Sequence, residues 1–319
     1  MPRIRLEERP GGVLIARIGT HPLGLVERDE AAEIVALVHR AHRDPDVRAV
    51  VFTGSHPDRF VAHADLDWLR SDGSAIPPLG RHLSGLVARA AQGLARVAPL
   101  SALARRTTMS GAIQLVEIHD ALRRMTTSST IFVAALNGSV LGLGAELSWA
   151  CDLRLMADGD HVIGHPEILL GFPPGAGGTQ RLARLIGSHR AAVAILEARP
   201  FSPQEALAAG AIDEIVPAPE LLERAIDRAR LLAARPTSAI AAVKRSVTVG
   251  GSLSLARGLA LERSEFLAAL PRRVAQDIMR HYVAATGRDG ELPLYRPGGY
   301  DAALERGDAR VDRTPTGVS

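Results

Sequence analysis

The sequence predicts an α/β fold whose central sheet is largely parallel. Short apolar segments, typical of buried strands, alternate with longer segments that have amphipathic helical spacing. The clearest strand segment is IFVAAL at 131–136, and the clearest helical segment covers 29–43. Because neighbouring parallel strands need a crossover connection, this alternation favours strand–helix units over hairpins.

The first part of the chain supplies three of the predicted strands, at 13–18, 47–53 and 131–136. The helix at 29–43 has Ile34, Leu37 and Ala41 on one face, and a Pro at position 45 follows its end. A turn and a short helix are expected over 55–69. Residues 71–111 begin with Gly, Pro and Ser and continue with Ala, Leu and Arg at helical spacing, which predicts a helical insert.

The second part begins with a turn that leads into a helix at 138–150. Strands are predicted at 153–157, 161–164 and 211–216, and a glycine-led helix at 175–187. Ser202, Pro203 and Glu205 form the start of a helix with a capping box, and Gly210 ends it.

Three regions follow from this pattern. Residues 1–235 form the α/β core, and 236–287 form a helical C-terminal region. Residues 288–319 are rich in Gly, Pro, Asp and Arg, which predicts an extended or mobile tail.

Composition places the chain among soluble globular proteins. Of its 319 residues, 46% are hydrophobic and 23% are charged, which excludes a mostly disordered, collagenous or disulfide-stapled chain. The single cysteine, Cys151, has no partner for an internal disulfide, and no apolar segment follows Met1, so a cytoplasmic location is expected. The uncharged segment 125–145 contains six Ser or Thr residues, which argues against a membrane span.

The basic pI of about 9.6 overstates the positive charge. The formal net charge is only +3, and Lys244 is the sole lysine among 38 basic residues. Because arginine stays protonated to very high pH, the small positive excess persists far up the pH scale. Strong nucleic-acid binding does not follow from it.

Two carboxylates stand next to buried, glycine-containing turns. Glu146 follows the turn Gly142-Leu143-Gly144, and Glu167 follows His165-Pro166. A carboxylate in such apolar surroundings either finds a partner or has its pKa raised. Two of them converging on one site would suit acid–base chemistry on a water or a C–H bond. Position alone favours a simpler interpretation, with a helix N-terminal charge at Glu146 and a surface carboxylate at Glu167.

Two loop-to-helix junctions expose backbone N–H groups that suit a developing oxyanion, one at 142–144 and one within 60–66. A metal site is not expected. His161, His165 and Glu167 imitate a helical metal-binding spacing, but Pro166 breaks the helical face that such a site would need.

Taken together, five segments resemble the crotonase (enoyl-CoA hydratase/isomerase) superfamily, in the family's order. They are DPDVRAVVFTGS (44–55), RFVAHADL (59–66), VAALNGSVLGLGAELSWACDLRLMA (133–157), HPEILLGFPPGAGGTQRLARLIG (165–187) and SPQEALAAGAIDEIVP (202–217). The resemblance covers about 13–270, apart from 71–111.

The resemblance implies a ββα spiral core with a helical C-terminal trimerisation region, assembled as a homotrimer or a dimer of trimers. It implies an acyl-CoA substrate and no metal or redox cofactor, since coenzyme A is part of the substrate. The implied activity is that of an enoyl-CoA hydratase, which adds water across the C2=C3 bond of a 2-enoyl-CoA thioester. No membrane association is implied.

The resemblance also assigns roles to residues. Glu146 and Glu167 fall on the catalytic carboxylate positions, and the backbone N–H groups of Ala64 and Leu143 fall on the oxyanion hole. The further substrate contacts that it implies are Ala62, His63, Asp65, Leu66, Gly142, Gly144, Pro166 and Gly175.

Two departures from the family pattern bear on specificity. His63 replaces the usual glycine and is expected to narrow the coenzyme entrance, and the insert at 71–111 is expected to lie over the acyl pocket.

Three alternatives stay open at this point. They are an enoyl-CoA isomerase, another acyl-CoA lyase or thioester hydrolase, and an RNA-binding homologue that uses the arginine-rich insert. Against RNA binding, Leu83, Leu86 and Leu94 recur at helical spacing, as in an ordinary amphipathic helix.

Overall fold

The computed structural model describes residues 3–310, with the side chains of Ala98 and Ala102 left aside. The strands are β1 (Arg5–Arg9), β2 (Val13–Ile18), β3 (Ala49–Gly54), β4 (Arg59–Val61), β5 (Ile131–Leu136), β6 (Ser139–Leu141), β7 (Leu153–Ala157), β8 (Ile163–Gly164) and β9 (Glu214–Val216).

The first helices are α1 (Arg28–Arg43), α2 (Leu66–Ser74), α3 (Arg81–Ala95), α4 (Ala98–Ala104), α5 (Ser110–Met125), α6 (Leu143–Ser148) and α7 (Gly178–Ile186). They are followed by α8 (Ser188–Glu197), α9 (Pro203–Ala209), α10 (Leu221–Ala233), α11 (Thr237–Thr248), α12 (Leu255–Ala269), α13 (Arg273–Asp289) and α14 (Gly299–Arg306). A 3₁₀ turn covers Glu167–Leu170.

The strands form two sheets. The larger has the order β1-β2-β3-β5-β7-β9, in which β1 is antiparallel to β2 and every other pairing is parallel. The smaller sheet has the order β4-β6-β8 and is parallel throughout. The predicted α/β fold with largely parallel pairing is therefore confirmed.

The centre of the larger sheet is buried on both faces. In β5, Phe132 and Ala134 belong to a core that includes residues of α1 and α5, whereas Val133 and Ala135 belong to a second core that includes α10. Because side chains alternate across a strand, a segment that is apolar at every position fits a strand covered on both sides. This explains why IFVAAL was recognisable as a strand from its sequence.

The chain repeats one structural unit three times. A long strand of the larger sheet is followed by a short strand of the smaller sheet and then by helix: β3, β4 and α2; β5, β6 and α6; and β7, β8 and the 3₁₀ turn. Since β4, β6 and β8 are parallel neighbours, the segments that follow them leave the same edge of the smaller sheet. This repeat is the ββα spiral, and it sets the location of the site.

Several predicted boundaries are confirmed, and some strands were missed. Strands β2, β5 and β7 have the predicted bounds, and the capping box of Ser202 and Glu205 begins α9 as predicted. Strand β1 was not predicted because its sequence, RLEER, is charged and largely exposed at the sheet edge. Strands β4 and β6 were not predicted, because each has three residues and lies in a segment that was interpreted as a turn leading into a helix.

The insert at 71–111 is helical, but its helices pack differently from the expectation. In α3 only Ala91 is buried, and Ala91 forms a small apolar cluster with Ala104 and Ile113 of α4 and α5. Helices α3 and α4 thus pack on the outer side of α5. Leu83 and Leu86 are about half exposed, at 49% and 55%.

The C-terminal region is helical through α11, α12 and α13, as predicted. The tail differs from the expectation, because Gly299–Arg306 forms α14 and the preceding Pro293–Tyr295 forms a 3₁₀ turn. Gly298 and Gly307, both with positive φ, bracket this helix, so its short length follows from its glycines. Residues 311–319 of the predicted tail lie outside the described residues. Within 3–310, no helix is long and apolar enough to cross a membrane.

Candidate active site

The site lies where the three strands of the smaller sheet end. Ala64 follows β4, Leu143 follows β6 and Glu167 follows β8, and all three line one cavity of about 390 Å³. We call this the central cavity. The ββα repeat thus brings together residues that are about 80 and about 100 positions apart in the sequence.

Two backbone N–H groups at the central cavity have no hydrogen-bond partner in the part of the chain that the structure describes. The loop around Ala64 is fixed on both sides, because Val26 N donates to His63 O at 3.0 Å and Asp65 N donates to Val26 O at 2.9 Å. Leu143 is the first residue of α6, where a helix leaves its N–H groups free. Among residues 3–310, neither Ala64 N nor Leu143 N donates a hydrogen bond within the protein. Such a pair of free donors suits the binding of an oxyanion.

The turn before Leu143 depends on glycine. Gly142 has φ +53°, in the region that side chains rarely adopt, and its N–H donates to Gly164 O at 3.1 Å. A Cβ at Gly144 would overlap Val61 of β4. Glycine at these two positions therefore lets α6 begin directly against β4, beside Ala64.

Glu146 is held in place by the backbone of the glycine-rich segment before α7. Its side chain is buried, and its Oε1 accepts hydrogen bonds from Ala176 N at 2.7 Å and Gly178 N at 2.8 Å. Burial raises the pKa of Glu146, while these N–H donors oppose the rise. Both outcomes expected for a carboxylate in apolar surroundings, a partner and a raised pKa, occur at this residue.

Glu167 is also buried, so it is not a surface carboxylate. The His165 ring nitrogen Nδ1 lies 3.0 Å from its Oε1 and 3.1 Å from its Oε2. A Cβ placed on Gly142 would lie 3.3 Å from Glu167 Oε1, so this oxygen faces the turn that carries the Leu143 N–H. The two carboxylates therefore reach the central cavity from different elements, α6 and the 3₁₀ turn.

His63 also lines the central cavity, next to the free N–H of Ala64. Its Nδ1 lies 2.7 Å from the carbonyl oxygen of Ala64, which can only accept, so Nδ1 carries a proton. Its Cβ lies 3.4 Å from the position of a Cβ on Gly142. A glycine at position 63 would leave this side of the cavity open.

The remaining wall of the central cavity is largely apolar. Its large apolar side chains come from α2 and the residues just after it, from α5, and from the end of the 3₁₀ turn and the segment that follows: Trp68, Leu69, Ile76, Leu115, Ile118, Leu170, Phe172 and Pro173. From the insert, Asp72, Gly73, Ile76 and Gly111 belong to the wall, and α3 does not. The ends of the insert, rather than its middle, thus shape the cavity.

The structure brings together most of the predicted site residues. Those that line the central cavity are His63, Ala64, Leu66, Gly142, Leu143, Glu146, Pro166, Glu167 and Gly175. Three others do not line it and have other contacts. Asp65 is the N-cap of α2 and accepts from the N–H groups of Asp67 and Trp68, Ala62 N donates to Gly24 O, and Gly144 packs against Val61.

Trp68 and His165 are among the residues of the site that were missed from the sequence. Trp68 was not singled out because a lone aromatic residue carries no pattern of its own. His165 was considered only as a metal ligand, although its separation of two residues from Glu167 could have indicated a direct pair.

Comparisons with known proteins agree with the fold. A family model described as enoyl-CoA hydratase/isomerase matches residues 98–283, which is more than half of the chain. The ββα spiral is the fold of the crotonase superfamily. Within it, the chain belongs to the enoyl-CoA hydratase/isomerase family.

Solved structures are similar over nearly the whole chain. An enoyl-CoA hydratase from Geobacillus kaustophilus is 25% identical, with a TM-score of 0.72 and coverage of 89% of this chain and 95% of that one. A second structure from that organism, an enoyl-CoA hydratase subunit, is 27% identical, with a TM-score of 0.69 and coverage of 91% and 96%. An enoyl-CoA hydratase from Bacillus anthracis, 24% identical with a TM-score of 0.69 and coverage of 92% and 99%, shares the fold.

Proposed function

We propose that the protein is an enoyl-CoA hydratase that adds water across the C2=C3 bond of a 2-enoyl-CoA thioester. The observation that carries the proposal is the convergence of two buried carboxylates and two unpartnered backbone N–H groups on one apolar cavity. Family membership supports an acyl-CoA substrate. The proposed reaction uses no cofactor beyond the coenzyme A of the substrate, because only a water molecule is added.

The oxyanion hole supplies the largest part of the proposed catalysis. The thioester oxygen accepts hydrogen bonds from Ala64 N and Leu143 N, and negative charge grows on that oxygen as water attacks C3. Each preorganised donor of this kind contributes roughly 10²–10³ in rate. Because both N–H groups belong to the main chain and are fixed by neighbouring hydrogen bonds, little reorganisation is needed.

The two carboxylates have different roles in the proposed step. Glu146 positions the attacking water. Glu167 carries the principal proton transfer: it accepts a proton from that water as the water oxygen bonds to C3, and it delivers a proton to C2, so that OH is added at C3 and H at C2. Oε1 of Glu146 is already occupied by two N–H donors, which leaves Oε2 to accept from a water. General acid–base groups of this kind contribute roughly 10²–10⁴ in rate.

The lining of the cavity favours a hydrocarbon acyl group. Apart from the two carboxylates, His63 and Asp72, the residues around the central cavity are apolar side chains or glycines. Asp72 is itself paired with Arg28 and with the indole N–H of Trp68. A hydroxyl or charged group on the acyl chain would thus lose its hydration without gaining a partner.

We also propose that the chain assembles as a homotrimer or a dimer of trimers through the C-terminal helices. Helices α12 and α13 carry large apolar side chains that are mostly exposed in the single chain: Leu255 at 79%, Phe266 at 60%, Leu267 at 67% and Val283 at 69%. An exposed apolar surface of this kind is typical of an interface. Light scattering coupled to size exclusion tests the assembly, and a monomer at micromolar concentration would contradict it.

The function is tested by incubating the protein with crotonyl-CoA and with a longer 2-enoyl-CoA while following the loss of the enoyl thioester absorbance. Glu146→Gln and Glu167→Gln are each expected to lower kcat at least a hundredfold, by analogy with the contribution of a positioned acid or base. Unchanged turnover in either variant would overturn the assigned roles.

The same assay separates the alternatives. Wild-type protein that binds acyl-CoA but fails to consume either 2-enoyl-CoA would contradict hydration. Conversion of a 3-enoyl-CoA to its 2-enoyl isomer in that case would indicate isomerisation, for which a single base suffices. Release of free coenzyme A would indicate a thioester hydrolase.

A further inference from the structure

His165 lies between the two carboxylates of the site. Its side chain is buried, and its Nδ1 is within hydrogen-bond distance of both oxygens of Glu167, at 3.0 Å and 3.1 Å. On the other side, its Nε2 packs against Gly178, where a Cβ would overlap the ring. The N–H of this same Gly178 donates to Glu146 Oε1 at 2.8 Å.

The position of the ring is fixed by packing. Trp149 contacts it edge to face, with ring centroids 5.0 Å apart, and Trp149 Nε1 in turn donates to Ala211 O at 3.1 Å. The ring therefore has one orientation, in which Nδ1 is aimed at Glu167. An ionised carboxylate can only accept hydrogen bonds. In a neutral His165 the proton therefore lies on Nδ1, and Nε2 carries a lone pair.

Stability alone does not account for an imidazole at this position. Within residues 3–310, Nε2 is buried without a hydrogen-bond partner, and a buried polar atom left unpaired is destabilising. An apolar side chain of similar size would avoid that cost at position 165, but it would leave the buried carboxylate of Glu167 without this donor. What the imidazole adds is the Nδ1–H donor to Glu167.

We propose that His165 is a positioning residue that orients the carboxylate of Glu167 for proton transfer. The proposal rests on the proposed function of Glu167. The Nδ1–H reaches both oxygens of Glu167 and so fixes the plane of the carboxylate, with Oε1 directed at the Gly142 turn. His165 acts through Glu167 and does not itself contact the reacting atoms.

Two variants separate positioning from packing. His165→Gln retains an N–H donor on a side chain of similar reach, whereas His165→Leu fills the space without a donor. Misplacement of a reacting group can cost about 100-fold in rate. We therefore expect His165→Leu to lower kcat on crotonyl-CoA about 10- to 100-fold, with KM changed by less than about threefold.

His165→Gln is expected to recover most of this loss in kcat. Equal loss of activity in both variants, with both folded as judged by circular dichroism, would overturn the proposal. So would a wild-type kcat in His165→Leu.

A second readout does not depend on hydration. Exchange of the C2 protons of butyryl-CoA with D₂O, followed by mass spectrometry, reports proton transfer by Glu167 whichever net reaction the enzyme performs. If the wild type exchanges these protons but does not hydrate crotonyl-CoA, the proposed hydratase function fails. The exchange rates of His165→Leu and His165→Gln then still decide the role of His165. If the wild type binds butyryl-CoA but neither exchanges its C2 protons nor hydrates crotonyl-CoA, both proposals fail.

Discussion

Trp68 Nε1 donates a hydrogen bond to Asp72 Oδ2 at 2.8 Å, one turn further along α2. Asp72 is also paired with Arg28 of α1, and the Arg28 guanidinium lies 5.6 Å from the centre of the Trp68 ring. Gln114 of α5 joins the same group, because its Nε2 donates to Arg28 O at 2.9 Å. This polar network connects α1, α2 and α5 and holds the indole against the central cavity.

We expect Trp68 to limit the size of the acyl group. Trp68→Ala enlarges the apolar cavity, so the ratio of kcat/KM for dodecenoyl-CoA over crotonyl-CoA should rise about tenfold, the effect of one or two methylene contacts. Trp68→Phe is the matched control, since it retains a ring but no N–H, and should leave the ratio within about threefold of the wild type. An unchanged ratio in Trp68→Ala would show that the acyl chain does not reach the indole.

Removal of one oxyanion donor can be tested at Leu143. Proline is tolerated at the first position of a helix, and the preceding Gly142 has no Cβ that could clash with the proline ring. Leu143→Pro should therefore fold while lacking the backbone N–H at position 143. We expect kcat to fall about 10²–10³-fold. Leu143→Ala keeps the N–H and shortens the side chain, and should retain at least a tenth of the activity. Similar losses in the two variants would argue that the side chain, rather than the N–H, matters. Circular dichroism checks that both variants fold.

The parts of the fold that were predictable from the sequence are those whose pattern is local. Strand β5 is apolar at every position because both of its faces are buried, and α9 begins at a capping box that lies within four consecutive residues. The edge strand β1 lacks such a pattern, since its charged side chains are largely exposed.

Only part of the site was predictable from the sequence. The carboxylates and the glycine turns could be placed by resemblance, but the contacts between them depend on tertiary structure. The hydrogen bonds from Ala176 and Gly178 to Glu146 join backbone groups some 30 residues away from it in sequence. The residue types at 176 and 178 do not indicate these hydrogen bonds, because every non-proline residue has a backbone N–H.

The sole lysine joins the C-terminal region to the core, and its removal should destabilise the fold. Lys244 Nζ of α11 lies 2.7 Å from Asp152 Oδ2 and donates to Thr130 O at 2.9 Å, while Asp152 Oδ2 also accepts from Phe132 N at 2.8 Å. Burial raises the pKa of Asp152 and lowers that of Lys244, so each group depends on the other for its charge. Lys244→Met leaves the largely buried carboxylate of Asp152 without its cation, which should cost about 3 kcal/mol in the free energy of unfolding.

Urea titration at one fixed protein concentration measures this cost. The double variant Lys244→Met with Asp152→Asn removes the uncompensated charge and should recover a large part of the loss. Arg70→Met breaks the exposed pair with Asp67 and is a control, expected to change stability by less than about 1 kcal/mol. Additive effects in the double variant would refute the pairing.

Glu30 should make the stability of the protein fall between about pH 4.5 and pH 7. It is buried in the first turn of α1, and its Oε1 accepts from Thr20 N and Thr20 Oγ1, both at 3.3 Å. Burial raises its pKa from the usual 4.5 to about 7. Between these two values the folded state holds a proton that the unfolded state has lost, so the free energy of unfolding decreases as the pH rises and then levels off above pH 7.

Glu30→Gln cannot ionise and still offers an acceptor to Thr20, so it should lose less stability than the wild type between pH 5 and pH 8. The exposed residue Glu197, changed to Gln, is the control and should follow the wild-type profile. Urea midpoints measured across this range test the prediction, and identical slopes for Glu30→Gln and the wild type would contradict it.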